Sequence, residues 1–180
     1  FDFLLFDACF MGTAEVCYDL RDVADYQIVS VMEVPAYGFP YEISLDYLYE
    51  GTVDGYKKIC QAYIDFYQER YENGDYAWGT IALIDSKEME GLADATRAEI
   101  VEHKDVLGND FDESDIQEYG KQGGRGIAYD LGQLMAVLNN GTMPNAFADQ
   151  LNKTVLYKSC LEIANPSSYK VDAANYCGLG

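Results

Sequence analysis

Phe1-Asp2-Phe3-Leu4-Leu5-Phe6-Asp7-Ala8-Cys9-Phe10-Met11-Gly12-Thr13-Ala14-Glu15-Val16 opens the chain, and the reading of this stretch decides the rest. Residues 1–8 are almost wholly apolar and end in Asp7-Ala8, the pattern of a strand buried on both faces. A helix is expected from Gly12 to about Val23, with Ala14, Val16 or Cys17, and Leu20 on one side. A strand followed at once by a helix puts Cys9 at the carboxyl edge of a sheet, where open α/β sheets carry their sites. Unpaired N–H groups and the partial positive charge of the helix start favour thiolate over thiol. Cys9 is therefore a candidate nucleophile; the competing reading is a small, buried apolar residue.

Working outward, Gln27–Glu33 is rich in β-branched residues and reads as a second strand. Pro35, Gly38 and Pro40 mark a loop from Val34 to Tyr41. Helices are expected at about 42–50 and 53–72, the second with Tyr56, Cys60, Tyr63, Ile64 and Tyr67 at helical spacing and ended by Asn73-Gly74-Asp75. These tyrosines read as core and interface, not as a ligand box. Ala77–Ile84 is a third strand, and Asp85-Ser86-Lys87-Glu88 starts a helix to about Val106. Helices near 114–120 and 126–139 follow an acidic stretch. Pro144 suits the first turn of a last long helix, to about Ala164. Alternating strands and helices give an α/β class with a mostly parallel sheet flanked by helices. No linker divides residues 1–180, so one domain is expected. The chain opens inside an apolar run and stops without completing an element, so it reads as an incomplete domain, a fragment or a processing product.

The chain has 180 residues, with 31 Asp and Glu against 12 Lys and Arg, a formal charge of −19. That balance excludes nucleic acid as a partner, because phosphate binding needs a basic face, and it disfavours anionic membrane surfaces. Apolar residues make up 49% and aromatics 14%, with 16 tyrosines, which marks a folded chain. No apolar run approaches the ~20 residues of a membrane span. The five cysteines show no CxxC and no metal spacing, so no metal site is expected. A Cys160–Cys177 bridge and buried free thiols both remain open.

The run from Leu4 to Val16 closely resembles the clostripain family of cysteine peptidases, in the caspase–gingipain–legumain group. The stretches 19–26, Tyr37-Gly38-Phe39-Pro40-Tyr41, Asp115-Ile116-Gln117, Tyr129-Asp130-Leu131-Gly132 and Cys177-Gly178-Leu179-Gly180 fit the same family. The resemblance implies a caspase-like fold, incomplete in this chain. It implies a cysteine endopeptidase that cleaves protein or peptide substrates after Lys or Arg through a Cys–His dyad, often with autoprocessing. By position Cys9 is the nucleophile, and Asp7 matches the acidic residue that binds the P1 cation, as charge-assisted hydrogen bonding would allow. The other reading of Asp7 is a strand-end carboxylate that caps the next helix. The resemblance places extended substrates beside the 27–33 strand, with Met32, Glu33 and Val34 lining the pocket; the plainer reading of Glu33 is a strand end facing water. It also implies a secreted or cell-envelope location and calcium activation, with unidentified ligands; the sequence itself requires no cofactor.

The family's histidine lies upstream of the cysteine in a His-Gly motif. The single histidine here, His103, lies far downstream with no glycine after it, and reads as a solvated helix residue. The general base is then expected from an upstream light-chain segment, together with half of the oxyanion hole. The alternatives are a catalytically silent caspase-like module that binds basic peptides and, more weakly, a thiol redox protein. Asp110–Asp115 lacks the glycine and the bidentate glutamate of an EF-hand and reads as a solvated acidic loop. Lys121-Gln122-Gly123-Gly124-Arg125-Gly126 lacks phosphate-loop spacing and reads as a mobile loop, with Arg125 a candidate self-cleavage point. Asn140-Gly141-Thr142 and Asn152-Lys153-Thr154 match the short glycosylation pattern. The negative charge fits attraction of basic substrates and, equally, ordinary solubility.

Overall fold

The computed structural model describes residues 1–109, 111–122, 125–164 and 170–180, with the backbone alone described at 108, 109, 121, 122 and 125. In chain order the elements are β1 (Phe3–Leu5), α1 (Ala14–Asp19), β2 (Tyr26–Val29), α2 (Tyr41–Leu48), α3 (Val53–Glu72) and β3 (Thr80–Asp85). After these come α4 (Met89–Glu102), α5 (Lys104–Asn109), β4 (Glu118–Gln122), β5 (Arg125–Tyr129), α6 (Leu131–Leu138), α7 (Asn145–Thr154) and β6 (Val155–Cys160). The class is α/β, as the alternation of patterns requires.

The main sheet runs β1-β2-β3-β6. The expected parallel pairing joins β1 to β2, whereas β3 runs antiparallel to both β2 and β6. Two helices, α2 and α3, separate β2 from β3. An even number of helical passes returns the chain to the end it left, so β3 enters in the opposite sense. The two central strands, β2 and β3, are buried on both faces. In β3, Ala82 and Ile84 face a core with Phe147, Met135, Leu92 and Leu131. Ile81 and Leu83 face the other core, with Tyr56, Ile59, Cys60, Tyr63 and Tyr67. The period of two is that of a pleated strand covered by helices on each side.

α3 shows why one stretch of sequence makes a long helix. Thr52 caps it by accepting the Gly55 N–H at 3.1 Å, and its aromatic residues fall on one stripe toward the sheet. Asn73 ends it, followed by Gly74 at φ +87°, a conformation glycine adopts without cost.

Two sequence expectations are overturned, and the open alternative for the cysteines is settled. The helices expected near 114–120 and from 126 are a β-hairpin, β4 paired with β5 in the register Tyr119↔Ala128. Gly123-Gly124 between short runs is the composition of a two-residue hairpin connection, a signal outweighed in the sequence by helix-length spacing; those two residues lie outside the described ones. The long last helix stops at Thr154, and residues 155–160 are β6. Val155-Leu156-Tyr157 prefers a strand, and packing against β3 decides it. No disulfide joins Cys160 to Cys177: all five thiols are free.

Candidate active site

The end of β1 carries the site. Phe6 N–H still pairs with Ile28 O at 3.0 Å, after which the chain turns through Asp7, Ala8 and Cys9. The turn is clamped on both sides. Phe10 N–H reaches Met32 O at 3.2 Å and Gly12 N–H reaches Ser30 O at 2.8 Å. On the opposite side Gly180 N–H donates to Gly12 O at 3.1 Å, and Ala14 N–H donates to Gly180 O at 2.8 Å. Gly12 is required here. A Cβ would stand 2.8 Å from both Ser30 C and Val31 N, and neither backbone atom can yield. Phe10 holds φ 59°, a left-handed conformation that costs a non-glycine residue about 1–2 kcal/mol; the clamps hold it there. α1 starts at Ala14 rather than Gly12, with Thr13 Oγ1 accepting the Val16 N–H. The turn thus separates Cys9 from the helix start that sequence placed next to it.

Asp7 and Cys9 are both exposed, and both meet the loop that leaves β2. The Val34 N–H approaches Cys9 Sγ at 3.4 Å, and the thiol faces Val34 O at 3.9 Å. Asp7 Oδ2 accepts from the Tyr41 hydroxyl at 2.9 Å and from the Phe39 N–H at 3.4 Å. Burial first, then the bond to Asp7, pushes the Tyr41 phenol up, so it stays a donor at neutral pH. Gly38, at φ +68°, passes so close that a Cβ would lie 2.7 Å from Asp7 Oδ2. α3 and the segment leading into β3 prop this loop. The Tyr67 hydroxyl donates to Gly38 O at 2.7 Å, Trp78 Nε1–H donates to Glu33 O at 3.1 Å, and the Arg70 guanidinium lies 3.8 Å over the Tyr37 ring.

The candidates divide as follows. Cys9, Asp7 and Val34 come together. Glu33 is partly exposed and holds Trp78 through its carbonyl. Met32 departs from the sequence reading: it is 1% exposed and packs beneath the site with Val31, Tyr119 and Tyr176, so it offers a carbonyl to the turn and no side chain to a pocket. β2 departs as well. It spans 26–29 and is paired on both sides, so its edge cannot take a peptide; only the exit near Val34 is open. Strand sterics favour that burial, since the run Ile28–Met32 is apolar apart from Ser30. Tyr41, Tyr67 and Trp78 were not singled out by sequence as site residues. Helical periodicity marked Tyr67 as core, and its hydroxyl at the end of the stripe was the only hint.

Cys9 alone among the five thiols is exposed. Burial first, then Glu15, pushes Cys17 up to about 12. Burial first, then Glu162 and Asp172, pushes Cys160 up to about 11. His103 caps the end of α4 with Nε2 3.7 Å from a Glu99 carboxylate oxygen, and only 19% of its side chain is exposed, so it is less solvated than sequence implied. Glu99, Glu102 and His103 offer ligand atoms within 4.8 Å of one another, the one such group among the described residues. An imidazole does not suit calcium, so this group does not fit the ion the resemblance implies. Asp112 Oδ1 accepts the Ser114 N–H at 2.9 Å, which keeps that acidic stretch a capped turn; Asp110 lies outside the described residues.

The model of the clostripain family, peptidase C11, matches residues 1–172. The chain belongs to the clostripain family. A cysteine protease from B. fragilis is similar at 27% identity and TM-score 0.86, over 99% of this chain and 76% of that one. A clostripain from Bacteroides thetaiotaomicron ATCC 29148, solved with the peptide inhibitor BTN-VLTK-AOMK, is similar at 30% identity and TM-score 0.80, with the same coverage. A secreted C11 cysteine protease from B. thetaiotaomicron, iotapain, is similar at 32% identity and TM-score 0.79, over 99% of this chain and 49% of that one. No curated protein sequence matches the chain. The fold is thus that of the caspase-like C11 cysteine proteases, of which this chain spans a part. No described helix is long and apolar enough to cross a membrane.

Proposed function

We propose that this chain is the nucleophile-bearing part of a cysteine endopeptidase that cleaves after Lys or Arg, with the histidine supplied by an upstream segment or chain. The observation that carries the reading is the convergence of an exposed thiol and an exposed carboxylate, two residues apart, on one braced loop. Both hydrogen bonds to Asp7 fall on Oδ2. A carboxylate has about four lone-pair sites, so Oδ1 can take a lysine ammonium or an arginine. The B. thetaiotaomicron clostripain was solved with an inhibitor whose peptide part, VLTK, ends in lysine, which fits such a carboxylate.

In this mechanism the upstream imidazole takes the Cys9 proton. The thiolate adds to the carbonyl carbon, and the tetrahedral oxyanion is held by the Cys9 N–H and an N–H of the upstream segment. The imidazolium returns the proton to the amine, which leaves, and water cleaves the thioester to release the acid and restore the thiol. Val34, facing the sulfur, pairs with the substrate backbone. A secreted location agrees with the secreted relative. Self-cleavage after Lys121 or Arg125 belongs to the same reading; both side chains lie outside the described residues.

The test is hydrolysis of reporter peptides with Lys, Arg, Asp or Asn at P1, using the protein together with the histidine-bearing segment. Cleavage only after Lys or Arg, abolished by Cys9→Ala and cut at least tenfold by Asp7→Asn, is expected. Cleavage after Asp or Asn removes the role of Asp7. Absence of any cleavage turns the reading to a silent module that binds basic peptides.

A further inference from the structure

The two oxygens of the Asp7 carboxylate are not equivalent. Oδ2 accepts from the Tyr41 hydroxyl at 2.9 Å and from the Phe39 N–H at 3.4 Å. A carboxylate has about four lone-pair sites, two on each oxygen, so these two donors fill Oδ2. Gly38 lies closest to the same oxygen, where a Cβ would stand 2.7 Å away, against 3.2 Å for Oδ1. Among the described residues no donor engages Oδ1.

Tyr41 is held where it stands. It is the first residue of α2, its N–H turns back to Phe39 O at 2.8 Å, and Pro40, at φ −76°, joins the two. Phe39 is buried against the Tyr63 ring at 4.6 Å between centres, and the Tyr67 hydroxyl holds the Gly38 carbonyl at 2.7 Å. The carboxylate therefore cannot offer both oxygens without giving up the phenol. Asp7 is exposed and Tyr41 is 46% exposed, so a substrate cation approaches the pair from solvent.

An arginine guanidinium binds a carboxylate best through two parallel N–H donors, one to each oxygen. With Oδ2 filled, the fork keeps one bond and sets its second N–H against a saturated acceptor. A lysine ammonium is a compact charge with rotatable donors, and one free oxygen serves it. We propose that Tyr41 is a specificity-determining residue: by filling Asp7 Oδ2 it leaves a single carboxylate oxygen for the P1 cation, and so selects Lys over Arg. This deepens the peptidase reading above and rests on it.

Tyr41→Phe removes the hydroxyl and keeps the ring. The assay uses reporters that differ only in Lys or Arg at P1, with the protein joined by its histidine-bearing segment. In the wild type, kcat/KM for Lys is expected to exceed that for Arg by about tenfold or more, the size of one lost charge-assisted bond. In Tyr41→Phe the ratio falls to within about threefold of one, chiefly because KM for Arg falls. A phenol with only a structural role would lower both reporters together and leave the ratio where it was; that result overturns the proposal. A wild type that cleaves after Arg as well as after Lys also overturns it, whatever the stability of the variant, and leaves the peptidase reading standing. If the wild type cleaves neither Lys nor Arg reporters, both readings fall together.

Discussion

Alkylation at pH 8 puts the thiol environments to a direct test. Cys17 at about 12 and Cys160 at about 11 are thiolate in roughly one molecule in 10,000 and one in 1,000. A more basic thiolate is the better nucleophile, by ~3-fold for each tenfold of basicity, which returns about 40-fold to Cys17 and about 10-fold to Cys160. An accessible free cysteine is about one-quarter thiolate at this pH. On balance Cys160 reacts about 20-fold and Cys17 about 60-fold more slowly than such a thiol, before access is counted. Burial pushes Cys60 and Cys177 up further still, and iodoacetamide must also reach the sulfur. Cys9 is the exposed one. A time course read by peptide mass mapping is therefore expected to show a single carbamidomethyl group on Cys9 in the folded chain, and labelling of every cysteine in denaturant. Labelling of Cys160 or Cys17 within fivefold of the Cys9 rate, in protein shown folded by circular dichroism, refutes the reasoning.

Three further outcomes are expected. Gly38→Ala places a methyl 2.7 Å from Asp7 Oδ2 in a left-handed conformation; it costs about 1–2 kcal/mol in urea unfolding, and kcat/KM for basic reporters drops at least tenfold as the carboxylate is displaced. Asp130→Ala strips the acceptor from the Tyr119 hydroxyl, the Cys177 N–H and the Gln133 N–H. Its cost is about 3–5 kcal/mol, and because residues 178–180 brace the Cys9 turn, Cys9 alkylation should change with it; urea titration and labelling measure the two. Stability should be level from about pH 6 to 8 and fall above it. Cys17 is raised from its ordinary value to about 12 in the fold, so its contribution is present below the unfolded pKa and lost as pH climbs toward the folded one, at up to ~1.4 kcal/mol per pH unit. Melting temperatures from pH 6 to 10 check this, and a flat curve to pH 10 contradicts it.

Local pattern carried much of the fold. β1, β2, β3 and α3 were legible because their apolar residues recur at periods of two or 3.6 and their ends bear capping and turn residues. The hairpin was not legible, because Glu118–Tyr129 mixes polar residues and glycines and gains its strands only by pairing with itself and burying Tyr119 against Tyr176. β6 was hidden for a similar reason. Val155–Cys160 continues the α7 sequence without a breaker, and only the partner strand β3 stops the helix. At the site, the strand-to-helix pattern marked Cys9, and the family resemblance added Asp7 two residues before it. The resemblance also pointed to the exit of the 27–33 strand, where Val34 meets Cys9, but it misplaced Met32, whose carbonyl serves the turn while its side chain fills the core.

What the sequence determined by itself was the class, the cysteine at a strand end and the carboxylate two residues before it. These depend on neighbours along the chain, where apolar period and turn chemistry act. Tertiary structure alone decided the sense of β3 and β6, the exposure of Cys9 against the fuller burial of the other thiols, and the convergence of Tyr41 and Phe39 on Asp7. Those contacts join residues more than thirty positions apart. They exist only once α3 has buried its aromatic stripe and fixed the 33–41 loop above it.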